Sequence, residues 1–133
     1  MSLFVWGQKY AIGVEEMDQQ HQQLVDLINE VYDHRDHHSR EHLCKIILSL
    51  IQYIEKHFRS EEDLMKNFHY PDLKEHKRCH DKLKKKVADL KNEVLDENKD
   101  VGESGTYLGI FLCRWLCDHI LNEDQKYAKF INK

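Results

Sequence analysis

His57 and Glu61, and again His76 and His80, stand four residues apart inside segments whose apolar residues recur every three or four positions. At that spacing both members of a pair project from one helix face about one turn apart, as two donors gripping a common ion require. His21 lies on a third such stripe, and His119 with Asp124 on a fourth. A chain that buries its apolar stripes must therefore turn these side chains toward one another. Seven donors suit two metals.

The rest of the pattern is helical almost throughout, with a single proline, Pro71, and five glycines to interrupt it. A first helix is expected from about Asp18, which can cap it, to Tyr32, with Met17, His21, Leu24, Ile28 and Val31 inward. A second runs from about Ser39 to Asn67, with Leu43, Ile47, Leu50, Ile54, His57, Glu61, Leu64 and Phe68 on one side, and Tyr70 and Pro71 end it. The third, from about Leu73 to Val94, sets His76, His80, Leu83, Val87, Leu90 and Val94 against a lysine-rich opposite face. The segment DENKDVGESG, 96–105, reads as a turn, and a fourth helix follows with Leu108, Leu112, Trp115 and His119 in line. Four helices joined by short loops predict an all-α, antiparallel up-down four-helix bundle. Residues 1–16, with Trp6 and Tyr10, are expected to form an irregular arm across it.

At 133 residues the chain is expected to be one domain, 1–133, with the bundle and a short tail over 17–133. Its net charge of −4 gives no global attraction to nucleic acid or to an anionic membrane. The apolar start is too short for a signal peptide and no run is long enough to span a bilayer, so a cytoplasmic protein is expected. Cys44, Cys79, Cys113 and Cys117 form no CxxC pair and are read as small packing residues.

One histidine on an apolar stripe is ordinarily a hydrogen-bonded core residue. Here that reading must hold five times, and an unpaired Glu61 on a buried face would cost several kcal/mol. A bound cation removes both difficulties. The motifs MDQQHQQL at 17–24, HFRSEEDLM at 57–65, YPDLKEHKRCH at 70–80 and WLCDHILNEDQKY at 115–127 occur in that order. In them, and in the arm with Trp6, Tyr10, Gly13 and Val14, the chain resembles the bacterial hemerythrins of the hemerythrin-like HHE cation-binding family, oxygen-binding di-iron proteins.

The resemblance implies that His76, His80 and His119 hold one coordinatively full iron. His21 and His57 would hold a second iron with an open position for O2, and Glu61 and Asp124 would bridge the two beside a solvent-derived oxo or hydroxo group. Leu24, Trp115, Leu116 and Ile120 match the family's apolar oxygen pocket. His119 and Asp124 are five residues apart, about 140° round an ideal helix, so facing both to one site predicts a π-type widening between Ile120 and Asp124.

Reversible dioxygen binding, for storage, delivery or sensing, is the expected function, since a site rich in neutral imidazole suits lower oxidation states. A di-iron oxidase or peroxide-handling enzyme is the first alternative. Such sites favour a Glu-x-x-His repeat, and no histidine here has a glutamate three residues before it, so a non-enzyme is expected. An iron or oxygen sensor module is the second alternative, although the pattern ends close to Lys133 without a signalling domain. A transient oxygen-consuming or signalling partner fits any of these roles, and a monomer is expected. His34, His37, His38 and His42 form a second cluster that could hold zinc or nickel. With no acidic or thiol partner at obvious ligand spacing, it reads as a solvated loop. His69 has no assigned role, and the lysines of the third helix read as a solvated face.

Overall fold

The computed structural model describes residues 3–35 and 40–132. Its elements are a 3-10 turn Gln8–Tyr10, α1 Glu15–Asp33, α2 Arg40–Asn67, α3 Leu73–Leu95, α4 Val101–Asp118, a π-helical segment His119–Asp124 and α5 Gln125–Ile131. Helix α1 packs on α2 and α4, and α3 on the same two, which makes an up-down four-helix bundle. Among the described residues no helix is long and apolar enough to cross a membrane.

Each long helix buries one stripe. In α1 that stripe is Met17, His21, Leu24, Val25, Ile28 and Val31, while Glu15, Glu16 and Asp18 in the first turn complement the helix dipole. The helix starts three residues earlier than the sequence suggested because Asp18 is not its cap. The Asp18 carboxylate instead accepts hydrogen bonds from Ile12 N at 2.8 Å and Gly13 N at 3.3 Å. This ties the arm to the first turn, and Gly13 makes the bend at φ 81°. The arm is anchored again where the Asn29 amide both donates to Phe4 O and accepts from Phe4 N, each at 2.9 Å. Phe4, Tyr10 and Ile12 are buried against the bundle.

In α2 the buried face ends on Glu61 and Met65. Phe68, expected inward, is 48% exposed. The helix stops one residue before it: His69 takes a left-handed φ of 57°, and Tyr70 N donates to Met65 O at 2.9 Å, a Schellman-type close. The turn before α4 is also shorter than the glycines of 96–105 suggested. Asp100 accepts from Glu103 N at 2.8 Å and starts the helix at Val101. Gly105 and Gly109 lie inside α4, where they let it approach Leu43 of α2 and the end of α1. A Cβ on Gly105 would meet Leu43 Cδ2 at 3.0 Å, and one on Gly109 would meet Tyr32 Cβ at 3.1 Å. The four cysteines are free and half-buried at the margin of the core, more exposed than the sequence suggested.

Candidate metal centre

The buried polar and charged side chains among the described residues are His21, His57, Glu61, His76, His80, His119 and Asp124. These are the same seven that the sequence singled out. They come from α1, α2, α3 and the π segment, and they meet at one level of the bundle. Beside this centre the six residues His119–Asp124 open into a π-helix, and Gln125 N–H bonds to Ile120 O five residues back. Five residues then span little more than one turn, which brings His119 and Asp124 to the same face.

The donor atoms fall into two sets. In the first, Glu61 Oε1 lies 3.0 Å from His76 Nε2 and 2.9 Å from His80 Nε2. Asp124 Oδ1 lies 3.1 Å from His76 Nε2 and 3.2 Å from His119 Nε2. His119 Nε2 is 3.2 Å from the Nε2 atoms of both His76 and His80. Metal bonds of about 2.1 Å at right angles place neighbouring donors about 3.0 Å apart, so these five atoms already stand along the edges of an octahedron.

The second set uses the other oxygen of each carboxylate. Glu61 Oε2 is 3.6 Å from His21 Nε2 and 3.5 Å from His57 Nε2, and Asp124 Oδ2 is 3.1 Å from His21 Nε2. Each carboxylate thus faces both sets, one oxygen to each. The first set has five donors and the second four.

Protein partners alone do not satisfy this arrangement. Both ring nitrogens of His21, Nδ1 of His76 and both oxygens of Asp124 are buried without a hydrogen bond. Each such group costs on the order of 1–3 kcal/mol, and more if charged, unless a cation or a proton compensates. Burial alone would push the His21 imidazole down, but the facing Asp124 and Glu61 carboxylates hold it up at about 10. His76 is likewise held at about 9 against burial by the same two groups. His57 goes the other way, driven down to about 4 by burial despite Glu61 beside it. Burial works against ionising Glu61, yet the surrounding imidazoles hold it well below its ordinary value, and Asp124 is lowered in the same way. Without metal the protonated His21 and His76 rings balance the two ionised carboxylates, and the clustered nitrogen and oxygen donors fit divalent first-row metals that would replace those protons.

A second layer of residues, which the sequence did not reveal, orients these donors. His57 Nδ1–H donates to Gln20 Oε1 at 2.7 Å and His80 Nδ1–H to Glu62 Oε2 at 2.8 Å, leaving each Nε2 as the lone-pair donor. Tyr127 O–H donates to Glu61 Oε2 at 2.7 Å. The Phe58 ring stacks on His80 at 3.7 Å and 2°, and the Trp115 indole on His119 at 4.3 Å and 15°. The only available signals were position: Glu62 adjoins Glu61, and Tyr127 follows Asp124 by three residues.

Leu24, Trp115 and Leu116 line a buried cavity of about 10 Å³, room for the centre of one water-sized molecule. Ile28, Ile54, Phe58, Leu83 and Leu112 complete its walls, while Ile120 is fully buried in the core at the head of the π segment. Trp115 also lines an outer cleft of about 240 Å³ with Cys79, Asp118, His119, Asn122 and Glu123. Its indole therefore stands between the cavity and that cleft.

Comparison with known proteins agrees with this geometry. Residues 12–131 match the hemerythrin HHE cation binding domain. The chain is 32% identical over 128 residues to the bacteriohemerythrin of Stenotrophomonas maltophilia, covering 96% of this chain and 81% of that protein. It is 32% identical over 129 residues to that of Methylococcus capsulatus, covering 96% of both. A crystal structure of wild-type hemerythrin superimposes with a TM-score of 0.89 at 29% identity, over 99% of this chain and 100% of that one. The chain therefore belongs to the hemerythrin HHE cation-binding family.

Proposed function

We propose that this chain binds dioxygen reversibly at a pair of iron ions: His76, His80 and His119 hold one, His21 and His57 the other, and Glu61 and Asp124 join them. The observation that carries the reading is the two-sided disposition of both carboxylates, with five donors on one side and four on the other. The shortfall of one donor leaves the His21/His57 side open to an exogenous ligand. In the ferrous state the pair would supply the two electrons that O2 accepts on binding and returns on release.

The protein side chains position and shield. Gln20 and Glu62 hold the His57 and His80 rings in the tautomer that presents Nε2. Leu24, one turn on from His21, and Phe58, whose ring centroid is 5.9 Å from that of His57, border the apolar cavity. Hydrocarbon and aromatic walls exclude water and anions that would compete with O2. The residues that line the cavity are hydrocarbon or aromatic, with no acid or base among them, which suits a carrier better than an oxidase. Storage, delivery and sensing all use this same reversible step.

Scattered exposed apolar residues, among them Val5, Leu48, Leu95 and Tyr107, lie on different elements, which suits a monomer. Four free thiols suit a reducing cytoplasm. The test is to reduce the iron-loaded protein anaerobically and admit air. A visible charge-transfer band that appears in air and vanishes under argon is expected. A band that forms and decays without reversal, with O2 consumed, would contradict the reading.

A further inference from the structure

The two sides of the centre differ in what stands behind their imidazoles. On one side His57 Nδ1–H donates at 2.7 Å to the amide oxygen of Gln20, a neutral acceptor. On the other, His80 Nδ1–H donates at 2.8 Å to the carboxylate of Glu62, an anionic one. His21, the partner of His57, has its Nδ1 buried without a hydrogen bond. The carboxylate oxygen on that side is also drained, since Glu61 Oε2 faces His21 and His57 and accepts from the Tyr127 hydroxyl at 2.7 Å. Three separate features therefore leave the His21/His57 side poorer in electron density.

The chemistry turns on the Nδ1 proton. Once Nε2 of a ring holds a metal, Nδ1 must carry the ring's proton, and the acceptor opposite decides how far that proton is drawn away. A hydrogen bond to an anion is roughly twice as strong as one between neutral groups, so a carboxylate leaves the ring a better electron donor and stabilises the more highly charged metal. An amide does this weakly. Burial does not force the neutral choice at position 20. Gln20 is half-buried and lines an outer cleft of about 420 Å³ with Glu16, Gln19, Gln23, Tyr53 and Lys56, where a glutamate of the same length would meet water and a lysine.

We infer that Gln20 is a redox-positioning residue: its uncharged amide biases the iron held by His21 and His57 toward the ferrous state, while Glu62 biases the metal on His80 toward the ferric one. The inference rests on the di-iron reading proposed above and gives its reversibility a cause. Reversible binding must recover both electrons lent to O2. Irreversible loss is the departure of O2 with those two electrons and two solvent protons as hydrogen peroxide, which leaves both irons ferric. An anion behind His57 would favour that outcome, and the amide of Gln20 opposes it.

The experiment is anaerobic spectroelectrochemical titration of the iron-loaded full chain, comparing the parent with Gln20→Glu and Glu62→Gln. Each swap keeps the size of the side chain and its hydrogen-bond acceptor and changes only the charge. At the parent's midpoint potential the ferric-to-ferrous ratio should rise about tenfold in Gln20→Glu, a midpoint lower by about 59 mV for a one-electron step, and fall by a similar factor in Glu62→Gln. Iron content and far-ultraviolet circular dichroism should stay as in the parent. A purely structural role would instead reduce iron content or move both ratios the same way. Should Gln20→Glu fail to load iron, Gln20→Met, which removes the acceptor at similar length, takes its place, with a ratio at or below the parent's expected and a higher one counting against the inference. A ratio within twofold of the parent in Gln20→Glu, or shifts of one sign in both swaps, would overturn it. No O2 enters this titration, so such a failure would leave the oxygen-binding reading untouched; that reading fails separately if the parent's colour in air does not reverse under argon.

Discussion

Tyr127→Phe isolates one hydrogen bond at the heart of the centre. The tyrosine is fully buried, and its hydroxyl donates to Glu61 Oε2, the oxygen that faces His21 and His57. Phenylalanine keeps the ring against His76 and Tyr70 and removes only the donor. A hydrogen bond to a charged acceptor contributes about 1.5–3 kcal/mol, and one between neutral groups about 0.5–1.5 kcal/mol. In metal-free protein Glu61 is an ionised carboxylate in a dry interior, so the loss should fall in the upper range. In iron-loaded protein the same oxygen shares its charge with a cation, and the loss should fall in the lower one. Urea unfolding of parent and variant in both states, read at unchanged m, gives both differences directly. A metal-free loss below about 0.5 kcal/mol, or a larger loss in the loaded protein than in the metal-free one, would refute the assignment of Tyr127 as a donor to an ionised Glu61.

Leu24→Ser or Trp115→Ala should shorten the lifetime of the oxygenated protein by about tenfold or more while iron content stays at the parent level, since each change admits water to the cavity; equal lifetimes would count against the cavity as the ligand's shelter. Deleting Leu121, an exposed residue of the π segment, leaves three residues between His119 and Asp124, so that they stand four positions apart, and restores an ordinary helix. Four apart in an ordinary helix, the two still share one face about 40° apart, so bound iron should stay near the parent value; loss of more than half of it would show that the π segment is needed for more than bringing the two side chains to one face. In metal-free protein the His21 and His76 values, about 10 and 9 against an ordinary 6.5, make the folded state the stronger proton binder. Their stabilisation is complete below pH 6.5 and is lost as pH rises through 9 to 10, so the metal-free urea midpoint should fall between pH 7 and 10 while that of the loaded protein holds. A metal-free midpoint that rose with pH would have the wrong sign.

The donors were legible because burial makes them conspicuous. A histidine or carboxylate on an apolar stripe has no solvent to face, so periodicity alone placed His57, Glu61, His76 and His80 together. The five-residue interval from His119 to Asp124 carried the π segment in the same way, since no regular helix satisfies it. The residues that orient the donors were not legible. Gln20 and Glu62 serve rings on other helices, and nothing local distinguishes Glu62 from a surface residue. Tyr127 closed the motif at 115–127, but nothing in that motif gave it a role.

Local rules also misled where tertiary contacts outweighed them. Asp18 looked like a cap but holds the arm, a use that depends on where Ile12 and Gly13 return to α1. Gly102 and Gly105 looked like a turn but lie inside α4, and the second of them serves the close approach of a neighbouring helix. Phe68 kept the period of α2 in sequence, but the helix had already ended.

The most direct test of the central claim is anomalous X-ray scattering at the iron edge from crystals of the ferrous-loaded protein. Two peaks about 3.5 Å apart are predicted, one against His76, His80 and His119, the other against His21 and His57, with Glu61 and Asp124 reaching both. A single peak, or no peak with the seven side chains closed on one another, would contradict it.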